Sequence, residues 1–294
     1  MSAERHSSGT AVTGPASSLE RCRPVIFALV IFMLAGAVAR AEEVVVTLPT
    51  RAGVTETFTF DTPARPLAAV ILFPGGRGAI GIGGRGGHPV IARADTFLIR
   101  SRPRFAASGF AVVALDAPSD HADGLSEAFR KGASHSRDIA TVVAWLRQKV
   151  AAPVWLVGTS MGSVSAASNA IRLGRAIDGV VLSSPVSASG RNAPELGVTT
   201  LDLQDITVPT LVMDHARDAC RSSPPANAAL IAKRLTRSPR IMVTLIEGGG
   251  PPRSGPCRAL SYHGYFGVED RAVAAIVGFI TARQPTGRQP TAGR

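Results

Sequence analysis

The segment that most constrains the fold of this chain is an apolar run, residues 154–157, that leads into the pentapeptide Gly-Thr-Ser-Met-Gly at 158–162. The run predicts a buried parallel strand, and the small and apolar residues after Val164 predict a helix packed closely on a sheet. Strand, sharp turn and helix are the context in which a G-x-S-x-G sequence exposes its serine, because the turn leaves no room for side chains at the two glycines. A chain with 30 glycines can also contain this pentapeptide in an ordinary loop. The flanking strand and helix favour a strained, exposed Ser160 instead.

The N-terminal region has the composition of a leader. Two arginines precede the apolar stretch 25–38, and Ala39-Arg40-Ala41 follows it with the spacing of an A-x-A cleavage site. This arrangement is typical of a secretory signal peptide, and the apolar stretch is too short to span a bilayer comfortably. We expect residues 1–41 to be a signal peptide and the protein to be periplasmic or secreted, without stable membrane insertion. An uncleaved anchor is the alternative.

Charge and cysteine content limit the partners and metal sites that are expected for this chain. Without residues 1–41 the chain keeps 28 basic and 19 acidic residues, and the basic ones are mostly arginines dispersed along the sequence. Dispersed charge favours solubility and weak attraction to anionic surfaces, so we expect no nucleic-acid partner. Cys22 lies in the leader, which leaves Cys220 and Cys257. Two cysteines in an oxidising compartment predict one disulfide, and their spacing matches no zinc site.

Apolar and alternating patterns predict the strands of a sheet. Residues 42–50 and 54–60 alternate threonine with apolar or charged residues, which predicts two antiparallel edge strands joined at Gly53. Residues 67–73 are continuously apolar and predict a buried central strand. Further strands are predicted at 110–115, 154–157, 179–182, 206–213 and 240–246.

Helices are predicted between these strands. The pattern at 95–108 predicts a helix that begins at an Asp95 cap and is kinked or interrupted by Pro103. Other helices are predicted at 136–150, after Ser160, at 225–235, and near the C-terminus up to about residue 281. Alternating strands and helices predict an α/β protein with a mostly parallel sheet and helices on both faces.

The domain limits follow from the same patterns. Residues 42–283 are predicted to form a single domain, and 284–294 lack large apolar groups and are expected to be disordered. The connection 183–205 is polar with little apolar periodicity, so little or no lid is expected over the site.

Two loops follow the central strands. The first begins Pro74-Gly75-Gly76-Arg77-Gly78 and remains rich in glycine through Gly87. Small residues there allow backbone N–H groups to face a site, as an oxyanion hole requires; a flexible linker is the alternative. The second, residues 116–121, lies at the carboxyl end of the strand 110–115, where its polar groups are expected to line a pocket.

Taken together, these motifs resemble the α/β-hydrolase superfamily of serine hydrolases over nearly all of residues 42–283. The resemblance rests on the turn at Gly75-Gly76, the serine turn at Ser160, an acid after the penultimate strand, and His263 after the last strand. Their order, serine then aspartate then histidine, is that of the superfamily.

Two aspartates are candidates for the acid of this serine–aspartate–histidine set. Asp214 ends the penultimate strand directly, and Asp218 comes four residues later, past a turn. The resemblance favours Asp218, and Asp214 is expected to cap or hydrogen-bond the loop backbone. The histidines in earlier loops or at a helix start are expected to be solvated: His88, His121, His135 and His215.

The resemblance implies acyl transfer on a small-molecule ester or thioester. His263 would take the hydroxyl proton of Ser160, and Asp218 would orient the imidazole. The N–H of Met161 and that of Gly76 or Arg77 would bind the oxyanion, with no metal or organic cofactor required. It also implies that a Cys220–Cys257 disulfide would tie the acid loop to the histidine loop.

Two other functions remain open at this point. One is a serine peptidase or amidase on the same fold, although the sequence has no insertion large enough for a second, peptide-gating domain. The other is a catalytically silent envelope protein that holds an anionic ligand on its basic surface and glycine-rich loop. The undamaged serine motif counts against the second.

Overall fold

The computed structural model describes residues 10–11, 42–85, 88–187 and 197–282. The elements below all belong to the compact unit that begins at Val38. Most of the leader predicted at 1–41 and the tail predicted at 284–294 lie outside the described residues. In the part of the chain that is described, no helix combines the length and apolarity that crossing a membrane requires.

The described residues form ten strands and six helices. The strands are β1 (Val44–Arg51), β2 (Val54–Asp61), β3 (Ala68–Phe73), β4 (Ile82–Arg85), β5 (His88–Ile91), β6 (Phe110–Leu115), β7 (Val154–Thr159), β8 (Gly179–Ser183), β9 (Thr210–His215) and β10 (Ile241–Ile246). The helices are α1 (Phe97–Ala107), α2 (Glu127–Lys131), α3 (Ala133–Lys149), α4 (Met161–Leu173), α5 (Asn227–Arg234) and α6 (Glu269–Thr281).

Eight strands form one sheet in the order β1-β2-β6-β3-β7-β8-β9-β10. The pairs β1·β2 and β2·β6 are antiparallel, and every pair from β6 to β10 is parallel. The mostly parallel sheet predicted from the sequence is therefore confirmed. Of the two strands expected at the edge, β1 lies there, whereas β2 lies inside the sheet between β1 and β6.

The core lies on both faces of this sheet. Every residue of β3, β6 and β7 is buried, and because successive side chains of a strand point to opposite faces, each strand supplies both layers. The layer with α3, α4 and α5 includes Ile139, Val142, Leu146, Val164 and Ile231. The layer with α1 and α6 includes Phe97, Phe105, Ile276 and Phe279. Helices cover both faces, as predicted.

The described residues of the glycine-rich loop include regular secondary structure. Strands β4 and β5 pair in it as a small antiparallel hairpin. The Asp116 carboxylate, at the end of β6, accepts hydrogen bonds from the amides of Ile80 (2.7 Å), Gly81 (3.2 Å) and Ile82 (2.7 Å). Asp116 therefore anchors the approach to the hairpin, and it is not among the residues that line the cavity at Ser160, contrary to the expectation for its loop.

Helix α1 also differs from its prediction. Pro103 lies inside the helix without ending it. Its missing N–H leaves the Ile99 carbonyl without the usual partner, and Arg102 Nη1 donates to that oxygen at 3.0 Å. The residue before the helix is Thr96, so the Asp95 cap was wrong. The sequence also gave no sign of α2, and β9 begins at Thr210, after Pro209, rather than at 206.

Candidate active site

Ser160 stands on a strained turn between β7 and α4. Its φ of 53° and ψ of −125° are unfavourable for a residue with a side chain, and its N–H donates to the Ser183 carbonyl at 3.0 Å. A Cβ at Gly158 would lie 2.3 Å from the Gly162 oxygen, and one at Gly162 would lie 2.1 Å from the Phe73 oxygen. Both positions thus require glycine, as the motif predicts.

His263 and Asp218 come together at the carboxyl end of the sheet. His263 lies in a 3₁₀ turn between β10 and α6, and its Nδ1 is 2.7 Å from Asp218 Oδ2, with both side chains buried. A carboxylate only accepts hydrogen bonds, so Nδ1 carries the proton. Asp218 Oδ1 accepts from the Cys220 amide at 2.8 Å, which fixes the carboxylate from its other side.

The second ring nitrogen of His263, Nε2, differs from Nδ1 in its hydrogen bonding. His263 Nε2 is buried and has no hydrogen-bond partner among the described residues. Ser160 and His263 line the same cavity. With Nδ1 protonated, Nε2 is the basic nitrogen, the form in which an imidazole can accept a hydroxyl proton.

Asp214 has a different environment from Asp218. It is buried at the end of β9, where its Oδ1 accepts from the His215 amide at 2.9 Å. Burial, with the neighbouring charge of Asp218, raises the pKa of Asp214 to about 8. The raised pKa favours the protonated form of Asp214, which holds the loop backbone through the His215 amide, while Asp218 contacts the histidine.

The turn after β3 packs directly against the serine. A Cβ at Gly75 would lie 3.1 Å from Ser160 Cβ, and Gly76 has a φ of 61°. Gly76 and Arg77 line the cavity with Ser160, whereas Met161 does not line it and begins α4. The amide of a first helical residue has no partner within the helix, so the N–H of Met161 is one of the donors available beside Ser160.

A disulfide lies beside the histidine. Cys220 and Cys257 are joined with an S–S distance of 2.08 Å and a Cα–Cα distance of 4.7 Å. Cys220 follows the Asp218 turn, and Cys257 lines the cavity six residues before His263. The crosslink therefore connects the two segments that carry the carboxylate and the imidazole.

The cavity has the size of a small-molecule site, about 480 Å³. Its apolar lining includes Ala79, Ile80, Phe97 and Leu260, and its charged lining is Arg77, Arg93, Arg258 and Asp95. Between β8 and β9 the described residues form only two short 3₁₀ turns, Gly197–Thr200 and Leu203–Asp205. No lid helix is present in this described part, and residues 188–196 lie outside it.

Two histidines expected to be solvated are buried. His215 Nδ1 accepts from the Arg217 amide, its Nε2 donates to the Gly248 carbonyl, each at 3.1 Å, and burial lowers its pKa. His135 is buried against the rings of Phe73 and Phe129, and burial, with the charges of Arg130 and Arg51, lowers its pKa to about 3. Both are neutral supports of the core rather than solvated side chains, so the expectation was wrong for them.

Tyr265 supports the site from below and was not predicted from the sequence. This side chain is fully buried under the serine turn, and its hydroxyl lies 3.2 Å from Ser183 Oγ, 3.0 Å from Ser184 Oγ and 3.1 Å from the Met213 oxygen. It therefore joins the histidine turn to the ends of β8 and β9. Its only sequence signal was its place two residues after His263.

Sheet order, serine turn and chain connectivity together define the α/β-hydrolase class of proteins. Residues 99–248 match the family described as serine aminopeptidase, S33. The match extends over half of the chain, which therefore belongs to this family. It includes Ser160 and Asp218 and ends before His263.

Solved structures agree on the fold. An esterase from Pyrococcus furiosus is 17% identical with a TM-score of 0.54, over 81% of this chain and 91% of that one. A lidless α/β serine hydrolase from Xanthomonas campestris is 14% identical with a TM-score of 0.53, over 83% and 98%. Est1E from Butyrivibrio proteoclasticus is 14% identical with a TM-score of 0.51, over 80% and 96%. A search of curated protein sequences finds no match. Identities this low define the fold alone.

Proposed function

We propose that this protein is an exported serine hydrolase that cleaves small carboxylic esters or thioesters, with Ser160 as nucleophile, His263 as base and Asp218 as the orienting acid. The observation that supports it most is the buried 2.7 Å contact between His263 and Asp218, in a histidine that lines the same cavity as Ser160 and whose Nε2 has no hydrogen-bond partner among the described residues.

The reaction follows from these positions. His263 Nε2 takes the hydroxyl proton as Ser160 Oγ attacks the substrate carbonyl carbon, and the buried Asp218 stabilises the imidazolium that forms. His263 then gives the proton to the leaving alcohol or thiol as the acyl–oxygen or acyl–sulfur bond breaks. Water repeats the sequence on the acyl-enzyme and releases the acid and free Ser160.

The tetrahedral intermediate carries a negative oxygen that needs fixed donors. The Met161 amide stands at the start of α4, where unpaired N–H groups and the helix dipole favour a negative charge. Arg77 supplies the second N–H in this proposal, from the turn that packs on Ser160. Gly76 is the alternative second donor.

An ester fits the cavity better than a peptide with a free amino terminus. An aminopeptidase, the activity in the family's description, needs negative groups for the substrate ammonium. The charged lining described here is three arginines and one aspartate. The names of neighbouring structures, esterases among them, point in the same direction.

Export is supported by the composition of residues 1–41 and by the Cys220–Cys257 disulfide, which is typical of oxidising compartments. The N-terminal mass of the protein recovered from the periplasm or medium tests it: a start at Glu42 is expected. An unprocessed chain retained in the cytoplasm would contradict export.

Hydrolysis of p-nitrophenyl butyrate tests the chemistry. Ser160→Ala and His263→Ala should each lower kcat by several orders of magnitude in a folded protein, because triad members act as a unit. Ser168→Ala, two turns further along α4, is the matched control and should retain activity. An alanine p-nitroanilide hydrolysed faster than the ester would instead favour the peptidase.

A further inference from the structure

Arg130 is the most deeply buried cation near the site. It lies on α2 and is 1% exposed. Its Nη2 donates to the Gly76 carbonyl and its Nη1 to Ser165 Oγ, both at 3.0 Å. The guanidinium thus connects the turn after β3 to helix α4, one turn beyond the serine.

No carboxylate among the described residues forms an ion pair with this charge, although Glu127 interacts with it electrostatically. Within the described part of the chain, Arg130 forms no ion pair, and its Nε has no hydrogen-bond partner. Glu127 lies on the same helix but is bonded to Lys131 and to the Gly197 amide. Burial lowers the pKa of Arg130 to about 10, so the group remains charged at neutral pH. A buried cation without a paired carboxylate is costly, so the protein retains Arg130 at a cost in stability.

The adjacent turn is shaped around the guanidinium. A Cβ at Gly78 would lie 2.7 Å from Arg130 Nη2, so a side chain there would collide with it. Gly78 also has a φ of 79°, a conformation that favours glycine. Both features favour glycine at position 78, which leaves space for the guanidinium beside the Gly76 carbonyl.

The geometry of the peptide bond transmits this contact to the cavity. The Gly76 carbonyl and the Arg77 N–H belong to one planar trans peptide and point in opposite directions. A cation fixed on the oxygen therefore directs the N–H away from α2. It also draws electron density toward the oxygen, which makes the N–H a stronger donor.

We propose that Arg130 is a positioning residue for catalysis: it holds and polarises the Gly76–Arg77 peptide so that the Arg77 amide serves as an oxyanion donor. The inference rests on the proposed serine-hydrolase function. It assigns to Arg130 an effect on the tetrahedral intermediate, with little effect on ground-state binding.

Three variants test this assignment on p-nitrophenyl butyrate. Arg130→Gln removes the charge and should lower kcat by about 100-fold, the loss expected for one oxyanion donor, with KM changed by less than about threefold. Arg130→Lys retains a charge but cannot form both contacts of the planar fork, and should lower kcat by about tenfold. Arg172→Gln is the matched control: Arg172 Nη2 bonds the Lys131 carbonyl and also ties α4 to α2, away from the turn. Its kcat should not change.

Binding of an inhibitor that forms a tetrahedral adduct distinguishes an effect of Arg130 on the intermediate from an effect on folding. An alkyl trifluoromethyl ketone binds Ser160 as an oxyanion, so its affinity should fall by the same factor as kcat/KM in Arg130→Gln. Melting temperatures identify variants that have lost structure. If Arg130→Gln is not recovered folded, Arg130→Lys decides, and wild-type kcat in that variant would overturn the inference. Equal losses in Arg172→Gln would also overturn it.

The proposed function and the role of Arg130 can be refuted independently. If wild-type protein neither hydrolyses the ester nor binds the ketone, the serine-hydrolase proposal fails. If the wild type is active and folded Arg130→Gln is equally active, only the role of Arg130 is refuted.

Discussion

Removal of the Cys220–Cys257 disulfide should affect stability and catalysis by separable amounts. The two residues are 37 positions apart, and a loop of that length lowers the entropy of the unfolded chain by an amount equivalent to about 4 kcal/mol. For a domain of this size, a loss of that magnitude lowers Tm by roughly 8–16 °C. Thermal unfolding of a Cys220→Ser/Cys257→Ser variant measures it.

Catalysis should fall as well, at temperatures where the variant remains folded. The Cys220 amide donates to Asp218 Oδ1, and Cys257 belongs to the segment that leads to His263. Loss of the crosslink frees these segments, and a small displacement of the base costs rate steeply. The expected change is a lower kcat for p-nitrophenyl butyrate at 25 °C.

Three results would refute this reasoning. Two free thiols in the denatured, unreduced protein after export would show that the bond does not form. A double variant with the wild-type Tm would show that the crosslink does not limit the unfolded chain. Loss of Tm with unchanged kcat would show that the two loops are held without it. Dithiothreitol should reproduce the variant's behaviour in the wild type and leave the variant itself unaffected.

The other predictions concern the acids, the missing lid and the arginines. Asp218→Asn should lower kcat by about 10⁴-fold, by analogy with triad acids that hold the histidine tautomer, and Asp214→Asn should cost far less; the reverse ranking would contradict the assignment. Folding raises the pKa of Asp214 from 3.8 to about 8, so the folded state retains a proton that the unfolded chain releases. Its contribution to the free energy of unfolding should therefore fall as pH rises between these values; Asp214→Asn should remove that slope, and an unchanged slope would refute it. With no lid helix in the described residues, rates on p-nitrophenyl esters should not jump above the micellar concentration, and such a jump would contradict an uncovered site. Arg77, Arg93 and Arg258 line the cavity, so mono-p-nitrophenyl succinate should have a lower KM than the butyrate, and the difference should shrink with salt and in Arg258→Gln. Equal KM values at low salt would contradict it.

Local patterns were sufficient for the elements nearest the serine. The strand before Ser160 and the two glycines around it were predicted because their requirements are local: an apolar run, and a turn in which any Cβ collides. The parallel direction of the strands from β6 to β10 also followed from alternation of strands and helices, whereas their order in the sheet was not predicted. Helix propensity predicts that Pro103 kinks or interrupts helix α1, but the helix continues past it. Propensity does not account for the Arg102 side chain, which donates to the Ile99 carbonyl that Pro103 leaves without a backbone partner.

The contacts that complete the site join residues that are far apart in the sequence, so local sequence patterns predict them less well. Asp218 and His263 are 45 residues apart, and only the resemblance to a known superfamily placed them together. Nothing local distinguished Arg130 from the dispersed arginines of the surface, because its burial depends on α2, α4 and the turn after β3 at once. The burial of His135 and His215 likewise depends on how separate elements pack.

The most direct test of the central proposal is covalent labelling of Ser160. A fluorophosphonate should label the purified wild-type protein at one site, which peptide mass spectrometry should assign to Ser160. His263→Ala should label far more slowly and Ser160→Ala should not label. Because the reagent requires an activated serine, no labelling of the folded wild-type protein, or labelling at another residue, would contradict the proposal that this protein is a serine hydrolase acting through Ser160.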